Sequence, residues 1–157
     1  MRLKTIDYIL VGAQGVLFLF YVLPYSIDSN IKLSGPFLWP ALLTILLGIV
    51  EILWALWQLG RFLSPFPKPK QNARLITSGI FSWVRHPIYS GIILSAVGLG
   101  LYLQDVYKVL ISLTLLLFFY FKSQYEERNM LAQFPEYEAY KKRVGRFFPG
   151  LFPTKPK

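Results

Sequence analysis

The single histidine of this chain, His86, lies in a short polar segment that is suited to acid–base chemistry. It stands between a fixed cation, Arg85, and a rigid residue, Pro87. Proline disfavours helical backbone in the residue before it and suits the first turn of a helix. The sequence therefore predicts an irregular segment that delivers Arg85 and His86 to the mouth of a helix, with Tyr89 and Gly91 on its first turn.

A second polar group follows a long apolar run and consists of Lys122 and the adjacent carboxylates Glu126 and Glu127. Taken alone, the two glutamates also suit a solvated helix face that pairs with neighbouring cations. Another carboxylate, Glu51, lies inside a different apolar run. A carboxyl group within a membrane is costly unless it is paired or protonated. Glu51 is therefore either a functional residue or the buried partner of a neighbouring hydroxyl.

The composition excludes several kinds of active site. The chain has no cysteine, so disulfides, thiolate metal sites and a cysteine nucleophile are absent. One histidine argues against the multi-histidine di-iron sites of membrane hydroxylases. The sequence also contains no Rossmann glycine fingerprint, no P-loop and no Ser-His-Asp order. Gly91 and Gly98 instead suit the close approach of an apolar helix to a neighbouring helix.

The elements that must position these groups are membrane helices. The chain has 157 residues, 54% of them hydrophobic and 17% aromatic, and the apolar residues come in long runs. We predict one all-α integral membrane domain over 1–157 with four transmembrane helices, at about 6–24, 37–59, 88–103 and 106–121. A basic connector covers 61–87 and is expected to be extended on the membrane surface. Amphipathic cytosolic helices cover 122–144 on either side of Pro135, and the second of them is expected to lie against the membrane or against this connector.

The distribution of charge predicts the orientation of these helices. With both termini in the cytosol, the cytosolic segments hold fifteen lysines and arginines, and the external side keeps Lys32 and Lys108. This asymmetry follows the positive-inside rule and accounts for most of the net charge of +9 without any nucleic acid. We expect a multi-pass protein of the cell (inner) membrane whose basic inner surface faces membrane lipids.

This topology brings the polar groups to one place. Arg85, His86 and Tyr89 enter the third span from the cytosol, and Lys122 and the Glu126–Glu127 pair leave the fourth span on the same side. Pairing of these two spans as a hairpin then brings both groups to one mouth of the bundle. Glu51 is expected in the same half of the membrane.

The residues at this mouth carry a family resemblance. The run from Leu75 to Gly91, which contains Arg-His-Pro-Ile-Tyr-Ser-Gly at 85–91, is followed by Glu126-Glu127 and by Phe134-Pro-Glu-Tyr-Glu-Ala-Tyr140. This pattern strongly resembles the isoprenylcysteine carboxyl methyltransferase and phospholipid methyltransferase superfamily over roughly residues 65–150. Members are integral membrane enzymes that take a methyl group from S-adenosylmethionine without a Rossmann domain.

The resemblance implies roles for particular residues. The cofactor would be surrounded by Leu75, Ile76, Phe81, Arg85, His86, Pro87, Ile88 and Tyr89, with Glu126 and Glu127 closing the site. His86 and Glu126 would be catalytic. Lys122 falls where the carboxyl methyltransferases place an arginine associated with substrate, and lysine lacks the bidentate fork that suits a carboxylate. Glu51 is the second residue expected near the acceptor.

The expected function is methyl transfer from S-adenosylmethionine to a lipophilic small molecule that enters from the bilayer, at an active site on the cytosolic side. Two alternatives stay open. One is a small NADPH-dependent membrane reductase, since sterol reductases resemble this scaffold at their C-terminal part. The other is a non-catalytic membrane scaffold or lipid binder, in which Glu126 and His86 would be dispensable for ligand binding.

Overall fold

The computed structural model describes residues 3–25, 27, 35–67 and 74–150. Within these ranges the regular structure is helical, apart from one isolated bridge between Val84 and Gly145. The sequence predicts a polar turn at 25–36, and most of it lies outside the described residues, as do the connector residues 68–73. The α-helices in the described ranges are α1 (Thr5–Val22), α2 (Gly35–Leu59), α3 (Pro87–Tyr102), α4 (Val106–Gln133) and α5 (Tyr137–Arg143).

The lengths of the helices confirm an all-helical membrane protein and refine the predicted spans. In the described part of the chain, α1, α2 and α4 are long and apolar enough to cross a membrane, whereas α3 is a shorter apolar helix of 16 residues. The fourth span and the cytosolic orientation of the termini therefore stay predictions. The expected fourth span and the first cytosolic helix form one unbroken helix, α4, and the chain turns at Pro135 before α5 begins.

Glycines bring α2 and α3 into close contact. A Cβ atom added at Gly91 would lie 2.5 Å from the carbonyl oxygen of Gly48, and one added at Gly98 would lie 2.9 Å from the carbonyl oxygen of Ala41. Neither neighbour is a flexible side chain that can move aside. The close helix packing that the sequence predicts at Gly91 and Gly98 is confirmed.

The α3–α4 hairpin lies in the middle of the molecule, with α2 packed on α3 and α1 packed on α4. Hydrogen bonds tie the end of α1 to this hairpin. The Tyr107 hydroxyl donates to the Phe20 carbonyl at 2.8 Å, and the Lys108 ammonium donates to the Tyr21 carbonyl at 3.0 Å. The Tyr21 hydroxyl donates to the Ala96 carbonyl of α3 at 2.7 Å. Phe119 of α4 is fully buried in the core that the hairpin forms.

The outer surface of the helices is apolar, as expected of a lipid-facing surface. Trp39, Trp54 and Trp57 of α2 are all exposed, and Trp57 is 80% exposed. These tryptophans therefore face outward rather than toward other helices. Their positions near the two ends of α2 suit the interfacial belts of a bilayer.

Candidate active site

The backbone before α3 is held by a later part of the chain. Residues 144–148, which we call the strap, follow α5 and run beside residues 84–86. The Arg85 amide donates to the Gly145 carbonyl at 2.9 Å, and the His86 amide donates to the Arg146 carbonyl at 3.0 Å. The segment before Pro87 is not helical, so its two amides have no acceptor within a helix. The carbonyls of the strap accept their hydrogen bonds instead.

His86 lies between the two adjacent carboxylates of α4. Its Nδ1 is 3.5 Å from Oε2 of Glu126, and its Nε2 is 3.3 Å from Oε1 of Glu127. The Tyr89 hydroxyl donates to the other oxygen of Glu126. The structure thus brings the two polar groups together where the N-terminal end of α3 faces residues 126 and 127 of α4.

Glu127 is the centre of an ion cluster rather than a cavity residue. Its side chain is 2% exposed, and Arg85 donates to it through Nη2 at 2.8 Å and Nε at 3.1 Å. Arg146 donates through Nη2 at 3.1 Å, and the Lys141 ammonium lies 3.6 Å away. The remaining nitrogen of Arg85 donates to the carbonyls of Lys141 and Val144. Glu127 therefore joins α4 to α5, to the strap and to the segment before α3.

A cavity of about 380 Å³ lies beside His86 and Glu126. Its volume falls at the lower end of the ~300–1,000 Å³ range of small-molecule sites. The residues expected around a cofactor or substrate that line it are Leu75, Ile76, Phe81, Arg85, His86, Pro87, Ile88, Tyr89, Lys122 and Glu126. The cavity is largely apolar, with one carboxylate, one imidazole and one ammonium at its α3–α4 wall.

Glu51 lies elsewhere. Its carboxylate is 3.0 Å from the Ser90 hydroxyl, and that hydroxyl donates to the Phe147 carbonyl at 2.7 Å. Glu51 and Glu127 are not among the residues that line the cavity. Glu51 was expected to be either a functional residue or the partner of a neighbouring hydroxyl. The geometry supports the second interpretation, with Ser90 as the partner.

Several cavity residues were missed by sequence reasoning. Gln14 of α1 reaches the cavity, and its side-chain oxygen accepts a hydrogen bond from the buried Lys122 ammonium. Phe62, Pro65 and Phe66 form another wall, although their segment was expected to be an extended surface connector. The alternation of phenylalanine, leucine and proline at 62–67 is the signal that was available, because a purely solvated linker has no need of it.

The segment that carries Phe81 is clamped from two sides. From α2, Gln58 accepts a hydrogen bond from the Ile80 amide at 2.9 Å and donates to the Ser78 carbonyl at 3.3 Å. From α5, the Tyr140 hydroxyl donates to the Phe81 carbonyl at 2.6 Å. The amphipathic helix predicted after Pro135 thus lies against the connector, which is one of the two places expected for it.

The buried tyrosines of α5 stay protonated over a wide pH range. Burial raises the pKa of Tyr137 and of Tyr140 well above the usual value for tyrosine, and the negative charge of Glu127 adds to this effect. A neutral phenol keeps its proton, so Tyr140 remains a hydrogen-bond donor to the Phe81 carbonyl at and well above neutral pH.

Comparison with known proteins identifies relatives of this chain. The family model of phospholipid methyltransferases matches residues 37–137. The cobalt-zinc-cadmium resistance protein CzcN of Cupriavidus metallidurans is 31% identical over 138 residues, which are 83% of this chain and 60% of that protein. The nickel-cobalt-cadmium resistance protein NccN of Alcaligenes xylosoxydans xylosoxydans is 28% identical over 121 residues, 76% of this chain and 53% of that protein.

A third relative has an enzymatic name. The protein-S-isoprenylcysteine O-methyltransferase of Schizosaccharomyces pombe is 36% identical over 94 residues, which are 57% of this chain and 40% of that protein. The chain therefore spans between 40% and 60% of the length of the curated relatives it matches.

Proposed function

Because the chain belongs to the phospholipid methyltransferase family, we propose that it is a membrane methyltransferase that takes its methyl group from S-adenosylmethionine. The observation that supports this proposal best is the cavity beside α3 and α4, where His86, Tyr89 and Glu126 meet. These three residues lie inside the matched range, and the relative from Schizosaccharomyces pombe is named as a methyltransferase.

The donor set of the cavity fits S-adenosylmethionine. Glu126 offers a carboxylate that would accept from the α-amino group or the ribose hydroxyls, and the face of Phe81 suits an adenine or a sulfonium. Arg85 already donates from all three of its nitrogens to protein acceptors, so we assign it to holding the site together. Arg74, whose guanidinium lies 5.8 Å above the Phe62 ring in the cavity wall, is the cation we assign to the cofactor carboxylate.

When bound, S-adenosylmethionine supplies an electrophilic methyl group on a sulfonium sulfur, which keeps the electrons of the S–C bond as the acceptor's lone pair forms the new bond. The chain would contribute mainly alignment and exclusion of water, because most of the cavity wall is apolar. For an amine acceptor, we assign removal of the proton to His86, which lines the cavity with Glu126 at 3.5 Å from its Nδ1.

The acceptor is lipophilic in this proposal, because most of the cavity wall is apolar. Lys122 is the cavity cation that would meet a polar or anionic end of the acceptor, and Gln14 holds its ammonium in place. Glu51 is given no part in acceptor binding, because it lies outside the cavity lining. We place the active site at the cytosolic face of the cell (inner) membrane, on the charge asymmetry of the chain.

Binding of the cofactor tests this function directly. Calorimetry would titrate S-adenosylmethionine, and separately NADPH, into the detergent-solubilised full chain. We expect S-adenosylmethionine to bind and NADPH not to bind. Glu126→Gln should weaken the affinity about ten- to a hundredfold, because a hydrogen bond to a charged group is worth about 1.5–3 kcal/mol.

The matched control is Glu138→Gln, the same chemical change on the exposed face of α5, where Glu138 pairs with Lys142 at 3.7 Å. It should leave the affinity unchanged. Binding of NADPH alone would favour a reductase. Folded protein that binds neither molecule would favour a non-catalytic lipid binder.

A further inference from the structure

The ion cluster around Glu127 contains more cations than anions. Arg85, Arg146 and Lys141 all lie within ion-pair distance of this one carboxylate. His86 is shared with Glu126, which also faces Lys122. Nη1 of Arg146 is buried and has no hydrogen-bond partner among the described residues. A second anion near Arg146 would therefore complete the cluster.

A shallow depression beside the cluster has room for such an anion. Its volume is about 400 Å³, and it is lined by Arg85, Tyr120, Arg146, Phe147 and Phe148. The Arg146 guanidinium lies 4.8 Å above the Tyr120 ring, so its charged plane and an aromatic face border the same depression. Arg85 lines both this depression and the cavity of the active site, and the two are otherwise lined by different residues.

An apolar stripe leads from the depression along α4. Leu117, Tyr120 and Phe121 are 57%, 45% and 59% exposed, and their spacing of three and four places them on one side of the helix. Phe148 of the strap is 58% exposed beside them. A free phosphate ion would not bind such an apolar surface, whereas the acyl chains of a lipid would lie along it. The position also matches the expected cytosolic end of the membrane-spanning part of α4, where headgroups lie.

We propose that this depression is a binding site for the headgroup of an anionic phospholipid, separate from the active site. Arg146, with Arg85 behind it, pairs with the phosphate after a small rotation of the guanidinium toward the depression. Tyr120 and Phe148 contact the glycerol and the upper acyl chains. The site does not depend on the proposed methyl transfer, since none of these contacts involves the cofactor or the acceptor.

Thermal unfolding and native mass spectrometry of the full chain in a neutral detergent test this site. The probes are phosphatidylglycerol, phosphatidylcholine with the same acyl chains, and inorganic phosphate. We expect phosphatidylglycerol to raise the unfolding temperature and to bind about tenfold or more tightly than phosphatidylcholine, because Arg146 and Arg85 both lie near the headgroup and cations attract a net anionic headgroup. Inorganic phosphate should have little effect.

Two variants keep the test decisive. Phe148→Ser removes an exposed ring without touching the ion cluster, and Arg146→Lys keeps the charge opposite Glu127 but removes the planar fork. Both should reduce the preference for phosphatidylglycerol. The control Lys142→Gln removes an exposed cation that is paired with Glu138, and it should keep the preference.

Three results would overturn the proposal. Equal binding of the two lipids would remove the headgroup specificity, and an effect of inorganic phosphate as large as that of phosphatidylglycerol would point to a free anion. An unchanged preference in both Phe148→Ser and Arg146→Lys would place the lipid elsewhere.

Discussion

His86 turns Nε2 toward Glu127 at 3.3 Å, so the imidazole at the cavity wall is oriented by a carboxylate that does not itself line the cavity. Glu126, the preceding residue, lines the cavity and lies 3.5 Å from the other ring nitrogen, Nδ1. Two consecutive glutamates on one helix thus have different tasks. One borders the cavity, and the other holds the histidine and joins three separate segments of the chain.

Removing the charge of Glu127 should destabilise the protein. Glu127→Gln leaves Arg85, Arg146 and Lys141 without their common counter-charge, and breaking a buried ion pair costs about 3–5 kcal/mol. We expect a clear fall in the thermal unfolding temperature in detergent. The exposed Glu138→Gln should change stability by less than about 1 kcal/mol. Equal stability of the two variants would contradict a structural role for Glu127.

The clamp between Gln58 and the connector should be visible at a single amide. Gln58→Leu removes the acceptor of the Ile80 amide, so hydrogen exchange at residue 80 should become faster. Gln58→Glu keeps a side-chain oxygen at the same reach and should keep most of the protection.

Binding should respond to the same pair of variants, because residues 78–81 form part of the cavity wall through Phe81. We expect Gln58→Leu to bind S-adenosylmethionine more weakly than Gln58→Glu. If the amide exchanges at the same rate in both variants, Gln58 does not hold this segment in solution.

The contact between α2 and α3 at Gly91 should not tolerate an added methyl group. Gly91→Ala places a Cβ atom 2.5 Å from the Gly48 carbonyl oxygen, so the helices must separate. Overpacking of this kind costs about 1–3 kcal/mol. Gly12→Ala is the matched control, since no atom lies within 4 Å of its added Cβ. Because alanine is the better helix former, that variant should be neutral or slightly more stable. A Gly91→Ala protein as stable as the Gly12→Ala protein would show that the helices are farther apart.

Alkaline pH should weaken the attachment of α5. An unfolded tyrosine loses its proton near pH ~10, whereas burial raises the pKa of Tyr140 in the folded protein. Between these two values the native state binds more protons than the unfolded state, so stability is complete below pH ~10 and falls by about 1.4 kcal/mol per pH unit above it.

Tyr140→Phe removes this contribution together with the hydrogen bond to the Phe81 carbonyl. The variant should be less stable at pH 8 and should lose less stability between pH 10 and pH 11, as followed by thermal unfolding. The exposed Tyr102→Phe is the control for alkaline effects elsewhere in the chain. An identical pH dependence for Tyr140→Phe and the unmodified protein would show that Tyr140 is not buried in solution.

Local sequence patterns were sufficient to predict the helices and the proximity of the two polar groups. Apolar runs define helices, the Gln104–Asp105 turn defines the hairpin, and a hairpin of two helices places His86 near Glu126 because both lie at the same end. The small residues Gly91 and Gly98 indicated close packing, because only a missing side chain allows two helix backbones to approach so nearly.

Contacts between distant segments could not be predicted in the same way. The pairing of Arg85 with the strap and the reach of Gln14 to Lys122 depend on how α1 and α5 dock, which no local pattern specifies. The same limit applies to Glu127, because a glutamate with neighbouring cations on its own helix also suits a solvated face. Its partners among the described residues come from other parts of the chain: Arg85, His86, Lys141 and Arg146.

The strap also dictates when the site can exist during synthesis. Ser90 meets the Phe147 carbonyl across a separation of 57 residues, and His86 and Arg85 depend on the same later segment. At roughly 5–20 residues per second, the ribosome delivers that segment about 3–11 seconds after Ser90. The apolar helices can enter a bilayer in this interval, but the backbone that carries the histidine is not held until the strap arrives. A nascent chain stalled before residue 144 would therefore be inserted and yet unable to assemble the polar site around His86.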